Sequence, residues 1–241
     1  DGKKITIKIT DITTMVFLEK TFFKRLEGNV SAGFSYTKSS SVGQFNLSSA
    51  VTYATKSVES SLTTSAIGSL DSFGYSRDIE NVELFSNYNI NSSWFVAGLV
   101  AYQRNIELSI ARRFQEMAGA GSKVLLEKNL QLKLISGLTF NQEKSTNDIA
   151  SGLLLEIPLM ARFDFYKFRH PNIQISTSQT IYFGLTEAGR VRYNGSTTFS
   201  LELIHDFYFN LNLYSSYDNR PPATSSHNTD YGIVFGLSYK F

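Results

Sequence analysis

The feature that most constrains this chain is a two-residue alternation of side-chain character that returns segment after segment. It is clearest where Tyr231, Ile233, Phe235, Leu237, Tyr239 and Phe241 alternate with Gly232, Val234, Gly236, Ser238 and Lys240. Successive side chains of a strand point to opposite faces, so the first set makes one large apolar face and the second a mostly small or polar one. Phe207, Phe209, Leu211 and Leu213 alternate in the same way with Tyr208, Asn210, Asn212 and Tyr214. So do Leu132, Leu134, Leu138 and Phe140 with Gln131, Lys133, Thr139 and Asn141, and Phe45, Leu47, Val51 and Tyr53 with Gln44, Asn46, Ser48 and Thr52.

Runs of this kind predict about twelve strands, at 26–37, 43–55, 58–69, 80–91, 93–104, 112–126, 130–143, 150–165, 172–185, 190–204, 207–217 and 230–241. They are ~10 to 16 residues long, against ~5 to 6 for a usual soluble strand. A tilted strand of ~9 to 11 residues crosses a bilayer. The connections alternate as well. Lys56-Ser57, Asn91-Ser92, Glu127 to Asn129, Lys167 to Pro171 and His205-Asp206 are tight, whereas Asp71 to Ile79, Lys144 to Ile149 and Asn219 to Thr229 are longer and polar. Short turns at one end and long loops at the other are the asymmetry of outer-membrane barrels. The fold expected is all-β, an antiparallel transmembrane β-barrel over 25–241.

Three places depart from the pattern. Trp94 to Tyr102 is apolar on both faces, Glu116 falls in the outward set, and Pro158 interrupts an apolar run, where a bulge or register change is expected. Ile106 to Arg112 reads as a loop or short helix. Residues 1–24 differ again: Ile5, Ile7 and Ile9 alternate with Lys4, Thr6 and Lys8 before a second short apolar run, Ile12 to Phe17. Two short strands do not make a domain, so this segment is expected to be the remnant of a small N-terminal periplasmic β-domain. The chain begins at Asp1 without methionine and is read as processed or trimmed.

Several of these segments carry a family resemblance. Arg25-Leu26-Glu27-Gly28 leads into Val30 to Thr37, followed by the Gly- and Ala-rich run Arg113 to Gly121, then Leu130 to Glu143, then Phe241. Over roughly 25–241 the chain resembles the YdiY-like family of salt-induced outer-membrane proteins, whose function is undefined. The resemblance implies an outer-membrane barrel and supplies neither substrate nor catalytic residue. Tyr239 and Phe241 also look like the aromatic signal read by the outer-membrane insertion machinery.

Composition narrows the function. Lys and Arg number 23 against 21 acidic residues, a net charge of +2, without the basic stripe that nucleic acid requires. The absence of cysteine excludes disulfides and thiolate metal sites. His170, His205 and His227 lie in turns and loops, so no strand carries the histidine that a Ser–His pair on the barrel wall needs, and they show no metal-ligand spacing. No catalytic, cofactor or metal residue is therefore expected. Gly119-Ala120-Gly121 precedes no helix and does not read as a phosphate cradle. By parity, Glu83, Arg113, Lys123, Lys133, Glu143, Glu156, Arg162, Asp164, Arg190, Arg192 and Glu202 face the lumen.

The function expected is that of a structural, scaffold or narrow-pore barrel with both termini periplasmic. Its partners would be outer-membrane lipid, the insertion machinery during assembly and a periplasmic or outer-membrane protein. The alternative is an outer-membrane lipid or peptide hydrolase working at the extracellular rim; a pair of inward carboxylates could also serve an acid–base hydrolase or a periplasm-facing protease, but such charges read more simply as solvated or salt-bridged lumen residues.

Overall fold

A computed structural model describes residues 22–37, 41–127, 129–167, 171–222 and 227–241. Nearly all of the segment 1–24 lies outside the described residues, as does His170. Among the described residues a 3-10 turn, Phe23–Arg25, leads into twelve strands. These are β1 (Leu26–Thr37), β2 (Val42–Ala54), β3 (Val58–Asp71), β4 (Gly74–Asn89), β5 (Trp94–Asn105) and β6 (Ile110–Glu127). Then follow β7 (Leu130–Ser145), β8 (Leu154–Lys167), β9 (Ile173–Gly184), β10 (Val191–Ile204), β11 (Phe207–Asp218) and β12 (Thr229–Lys240). Each strand pairs with its sequence neighbours, and β12 returns to β1 to close the barrel.

Two connections depart from expectation. Asp71 to Ile79 is no long loop: β3 and β4 run on through it and Asp71 pairs with Gly74. The Asp71 carboxylate accepts hydrogen bonds from the backbone N–H groups of Phe73 and Gly74 at 2.8 and 3.1 Å, and Gly74 takes a positive φ of 125°. An Asx turn with glycine at its exit reverses the chain in two residues. The polar residues that followed had looked like loop because this hairpin tip bears no apolar stripe. Ile106 to Arg112 is likewise shorter than expected, with β6 already under way at Ile110. The other long connections hold, so one end of the barrel is a short-turn end and the other, this hairpin tip included, a long-loop end.

Pro158 causes no register change. Leu159 pairs with Ser136 and Glu156 with Thr139 in the same register, and the ladder skips only the positions between. The Ser136 hydroxyl donates to the Pro158 carbonyl at 2.8 Å, anchoring the strand where proline offers no N–H.

The barrel turns its apolar side chains outward. Leu47, Val100, Leu138, Leu159, Phe207, Ile233, Phe235 and Leu237 are all exposed. Such a belt is stable only against an apolar surround. The run Trp94 to Tyr102, apolar on both faces, has a distinct cause: Phe95, Ala97 and Leu99 point inward and pack with Phe85, Met117, Ile135 and Met160. This apolar cluster fills the lumen side of β4 to β8.

The closing seam is the exception to full pairing. β1 pairs with β2 at every position from Leu26 to Thr37, and β12 with β11 from Thr229 to Tyr239. Between β1 and β12 the ladder runs only from Asn29↔Lys240 to Ala32↔Leu237, with Gly28 and Phe241 adding one hydrogen-bonded pair below it.

Candidate functional site

The inward charges gather at two levels. At the long-loop end Arg113 of β6, Glu143 of β7, Asp218 at the end of β11 and Arg190 of the β9–β10 connection meet across the lumen, all buried. Arg113 Nε donates to Glu143 Oε1 at 2.7 Å and its Nη2 to Asp218 Oδ2 at 3.3 Å. Arg190 Nη2 donates to Glu143 Oε2 at 2.9 Å and to Asp218 Oδ2 at 2.6 Å. Two guanidiniums and two carboxylates thus form a closed ring of alternating charge. Glu187 accepts from Arg190 Nη1 at 3.1 Å and Gln103 from Arg113 Nη1 at 2.8 Å. In the connection outside the strands, Arg190 is held above its ordinary pKa: burial opposes the charge, but the Asp218 and Glu143 carboxylates outweigh it.

One layer further in, Arg192 of β10 forms a two-pronged ion pair with Glu156 of β8, its Nε reaching Oε1 at 2.8 Å. Asn141 Nδ2 donates to the same carboxylate at 2.5 Å, and the Arg192 guanidinium lies over the Tyr182 ring, 4.3 Å from its centroid. Tyr182 accepts in turn from Gln115 at 2.9 Å. Asn105 of β5 reaches Asp230 of β12 at 2.6 Å, a further strut from wall to wall.

The second level lies towards the short-turn end. Arg162 donates to Glu83 at 2.5 Å and sits over the Phe85 ring, 3.8 Å from its centroid. Lys133 reaches Glu59 at 2.9 Å; the lysine is 5% exposed and the carboxylate 41%, so this pair borders water. Lys123 lies directly across the ladder from Lys133. Asp164 and Glu202 are partly buried and form none of these pairs.

Of the charges picked by parity, the structure thus brings Arg113, Glu143 and Arg190 into one ring and joins Arg192 to Glu156 and Arg162 to Glu83. Asp218, Glu187, Glu59 and Asp230 complete these sets and had not been picked. Asp218 sat one residue beyond the expected end of its strand, and Glu59 opens a strand whose Ser and Thr residues blur the alternation. Among the described residues no three His, Asp or Glu side chains gather as a metal site. His205 is exposed beside Asp206 at 2.7 Å.

A closed antiparallel barrel with an outward apolar belt, short turns at one end and a charged lumen has the fold of outer-membrane β-barrel proteins. Among solved structures the chain is similar to the NanC porin, at 11% identity and a TM-score of 0.50, covering 90% of this chain and all of that one. It also matches the translocator domain of the autotransporter NalP from Neisseria meningitidis, at 11% identity, a TM-score of 0.43 and 94% and 91% coverage. No curated protein matches by sequence. The chain belongs to the family of proteins of unknown function DUF481, whose profile matches residues 29–241, in keeping with the YdiY-like resemblance.

Proposed function

We propose that the protein is a non-catalytic, membrane-spanning barrel of a Gram-negative outer membrane, sealed at its outer end and accessible from the periplasm. The observation that carries this reading is the ring of Arg113, Glu143, Arg190 and Asp218, buried and joined by ion pairs that cross the lumen from β6 and β7 to the end of β11. Buried charges of balanced sign hold each other in place, and removing one leaves the rest uncompensated. Below the ring, the cluster around Phe95 and Leu99 takes up further lumen space. Towards the short-turn end the inward Glu27, Asn29 and Thr63 are exposed.

Short turns belong on the periplasmic side of such barrels, which puts β1's start and β12's end there. The outward belt meets outer-membrane lipid, the insertion machinery places the barrel, and a protein partner approaches through the periplasmic mouth.

Single-barrel recordings in planar bilayers test this reading. The expected result is no steady current of general-porin size from the wild type. The double variant Glu143→Ala, Asp218→Ala, which strips both carboxylates from the ring, should show openings. A steady wild-type conductance like that of a general porin overturns the sealed reading.

A further inference from the structure

Glu116 breaks the apolar belt on the outward face of β6. It stands across the ladder from Val100 on one side and Phe140 on the other. The carboxylate is exposed and, among the described residues, forms neither an ion pair nor a hydrogen bond. A charge turned towards hydrocarbon is costly, and such a group marks a site whose partner has to be named.

Its surroundings are ordered by depth. At the long-loop rim Arg77 of β4, Arg104 of β5, Arg112 of β6 and Lys144 of β7 all belong to the outward set, with Arg112 directly across from Lys144. Glu80 holds Arg77 at 2.5 Å and Asp148 holds Lys144 at 2.7 Å. Arg104 is braced by donating to the Arg77 and Ala111 carbonyls, each at 3.1 Å. Arg112 is exposed and has no ion pair among the described residues. On the remaining strands the outward residues at this rim, such as Phe34, Leu70, Phe183, Val191 and Tyr231, are uncharged. One row deeper the Tyr102 and Phe114 rings lie 5.4 Å apart. Glu116 comes next, and two residues further down Ala118 faces Gly98. There a groove of about 370 Å³ opens on the outward wall, lined by Val58, Ser86, Tyr88, Val96 and Gly98.

The occupant follows from that order. Guanidinium and ammonium groups at the rim suit phosphate, and the groove suits an acyl chain. The carboxylate between them accepts hydrogen bonds and donates none, so the base of the head has to carry N–H or O–H groups. A glycerophospholipid offers only ester oxygens at that depth and would set acceptors against Glu116. A sugar lipid with N-linked hydroxyacyl chains carries amide and hydroxyl donors between its phosphates and its tails. A second copy of the chain does not fit, because two barrels in one membrane meet at equal depth and would set Glu116 against Glu116.

We propose that the β4–β7 wall binds one phosphorylated, N-acylated sugar lipid of the outer leaflet. Its phosphates rest on Arg104, Arg112 and Lys144, its amide and hydroxyl donors on Glu116, and one acyl chain in the groove at Gly98. This rests on the long-loop end facing outward. The native chain has no cysteine, so that orientation is tested separately by labelling Ser72→Cys, at the exposed β3–β4 tip, on intact cells with a membrane-impermeant maleimide.

Native mass spectrometry of the purified barrel in detergent, offered equal amounts of diphosphoryl lipid A and phosphatidylglycerol, reads the site. The wild type should retain a single lipid A molecule in clear preference to phosphatidylglycerol. Arg112→Ser with Lys144→Ser should cut that retention by about tenfold or more, the worth of a hydrogen bond to a charged group. Glu116→Leu should weaken it several-fold. Arg220→Ser, which removes an exposed cation beyond the end of β11, should leave it unchanged. The gel shift on heating confirms that each variant has folded. Equal retention of the two lipids, an unchanged Glu116→Leu, or an equal loss from Arg220→Ser overturns the proposal. In isolated outer membranes under mild oxidation, disulfide-linked dimers or any other disulfide-linked polypeptide from Ala118→Cys also overturns it, since a protein would then cover the wall.

Discussion

Gly28 and Phe241 exchange both backbone hydrogen bonds, at 3.1 and 3.0 Å, and the Phe241 ring covers the place where a side chain on residue 28 would stand. A Cβ there would lie 2.6 Å from the ring's Cζ. An aromatic laid over a glycine on the neighbouring strand shields bare backbone and fixes register. Because the β1–β12 ladder is so short, this pair is a large share of what closes the barrel. Phe241→Ala should therefore lower stability by about 0.5 to 1 kcal/mol, the range of a good cross-strand pair. Phe241→Lys should go further and reduce the amount of folded barrel in the outer membrane. The shift of unheated protein to the slower gel position measures both; unchanged levels for Phe241→Lys would remove the seam latch.

The charged ring makes a sharper prediction. Glu143→Gln leaves Arg113 and Arg190 with Asp218 as the one buried carboxylate between them, since Glu187, which Arg190 also reaches at 3.1 Å, is 43% exposed. Breaking one partner of such a set costs about 3 to 5 kcal/mol. Adding Arg190→Met restores one guanidinium to one carboxylate, since Arg113 still reaches Asp218 at 3.3 Å. The double variant should recover most of the loss in urea midpoint. Additive losses would mean that the groups do not act as one unit.

Glycines on the β5, β6 and β7 wall separate close packing from spare room. A Cβ on Gly137 would strike the Ala118 carbonyl oxygen and stand 2.5 Å from the Gly119 Cα, both backbone, so nothing nearby can swing aside. At Gly98 the nearest atom is the Met117 carbonyl oxygen at 3.8 Å. Gly137→Ala should cost about 1 to 3 kcal/mol, the usual range for overpacking, and Gly98→Ala should be close to neutral. Reversal of that order in thermal unfolding would show that β6 and β7 do not approach as closely as described.

What was legible in the sequence follows from what period two can encode. Inward and outward sets were readable because lipid-facing and lumen-facing positions impose opposite chemistry on one strand, as on β12 and β7. The twelve strands came from that signal, whereas the family resemblance came from particular segments such as Arg25 to Thr37 and Arg113 to Gly121. It faded at the β3–β4 tip, where Asp71 to Ile79 rise beyond the apolar belt and both faces meet water. Partnership across the lumen was not readable. Arg113 and Asp218 are 105 residues apart, and only barrel closure brings β6 opposite β11. Nor could alternation reveal how short the β1–β12 ladder is, since Phe34 and Tyr231 look like any other outward aromatics until the ladder beside them is seen to stop.

The last prediction concerns a place where the lumen works against itself. Lys123 and Lys133 stand directly opposite on β6 and β7, and of the two only Lys133 is in contact with Glu59, at 2.9 Å. Like charges facing each other across a ladder destabilise it by about 0.2 to 1 kcal/mol. Lys123→Gln should therefore stabilise the barrel by that amount, whereas Lys133→Gln should destabilise it by stripping Glu59 of its cation. The two changes remove the same charge from neighbouring positions, so a difference in sign cannot come from net charge. Urea midpoints for both variants in the same vesicles decide the matter. Equal effects in one direction would mean that the Lys133–Glu59 pair contributes nothing beyond the general repulsion in the lumen.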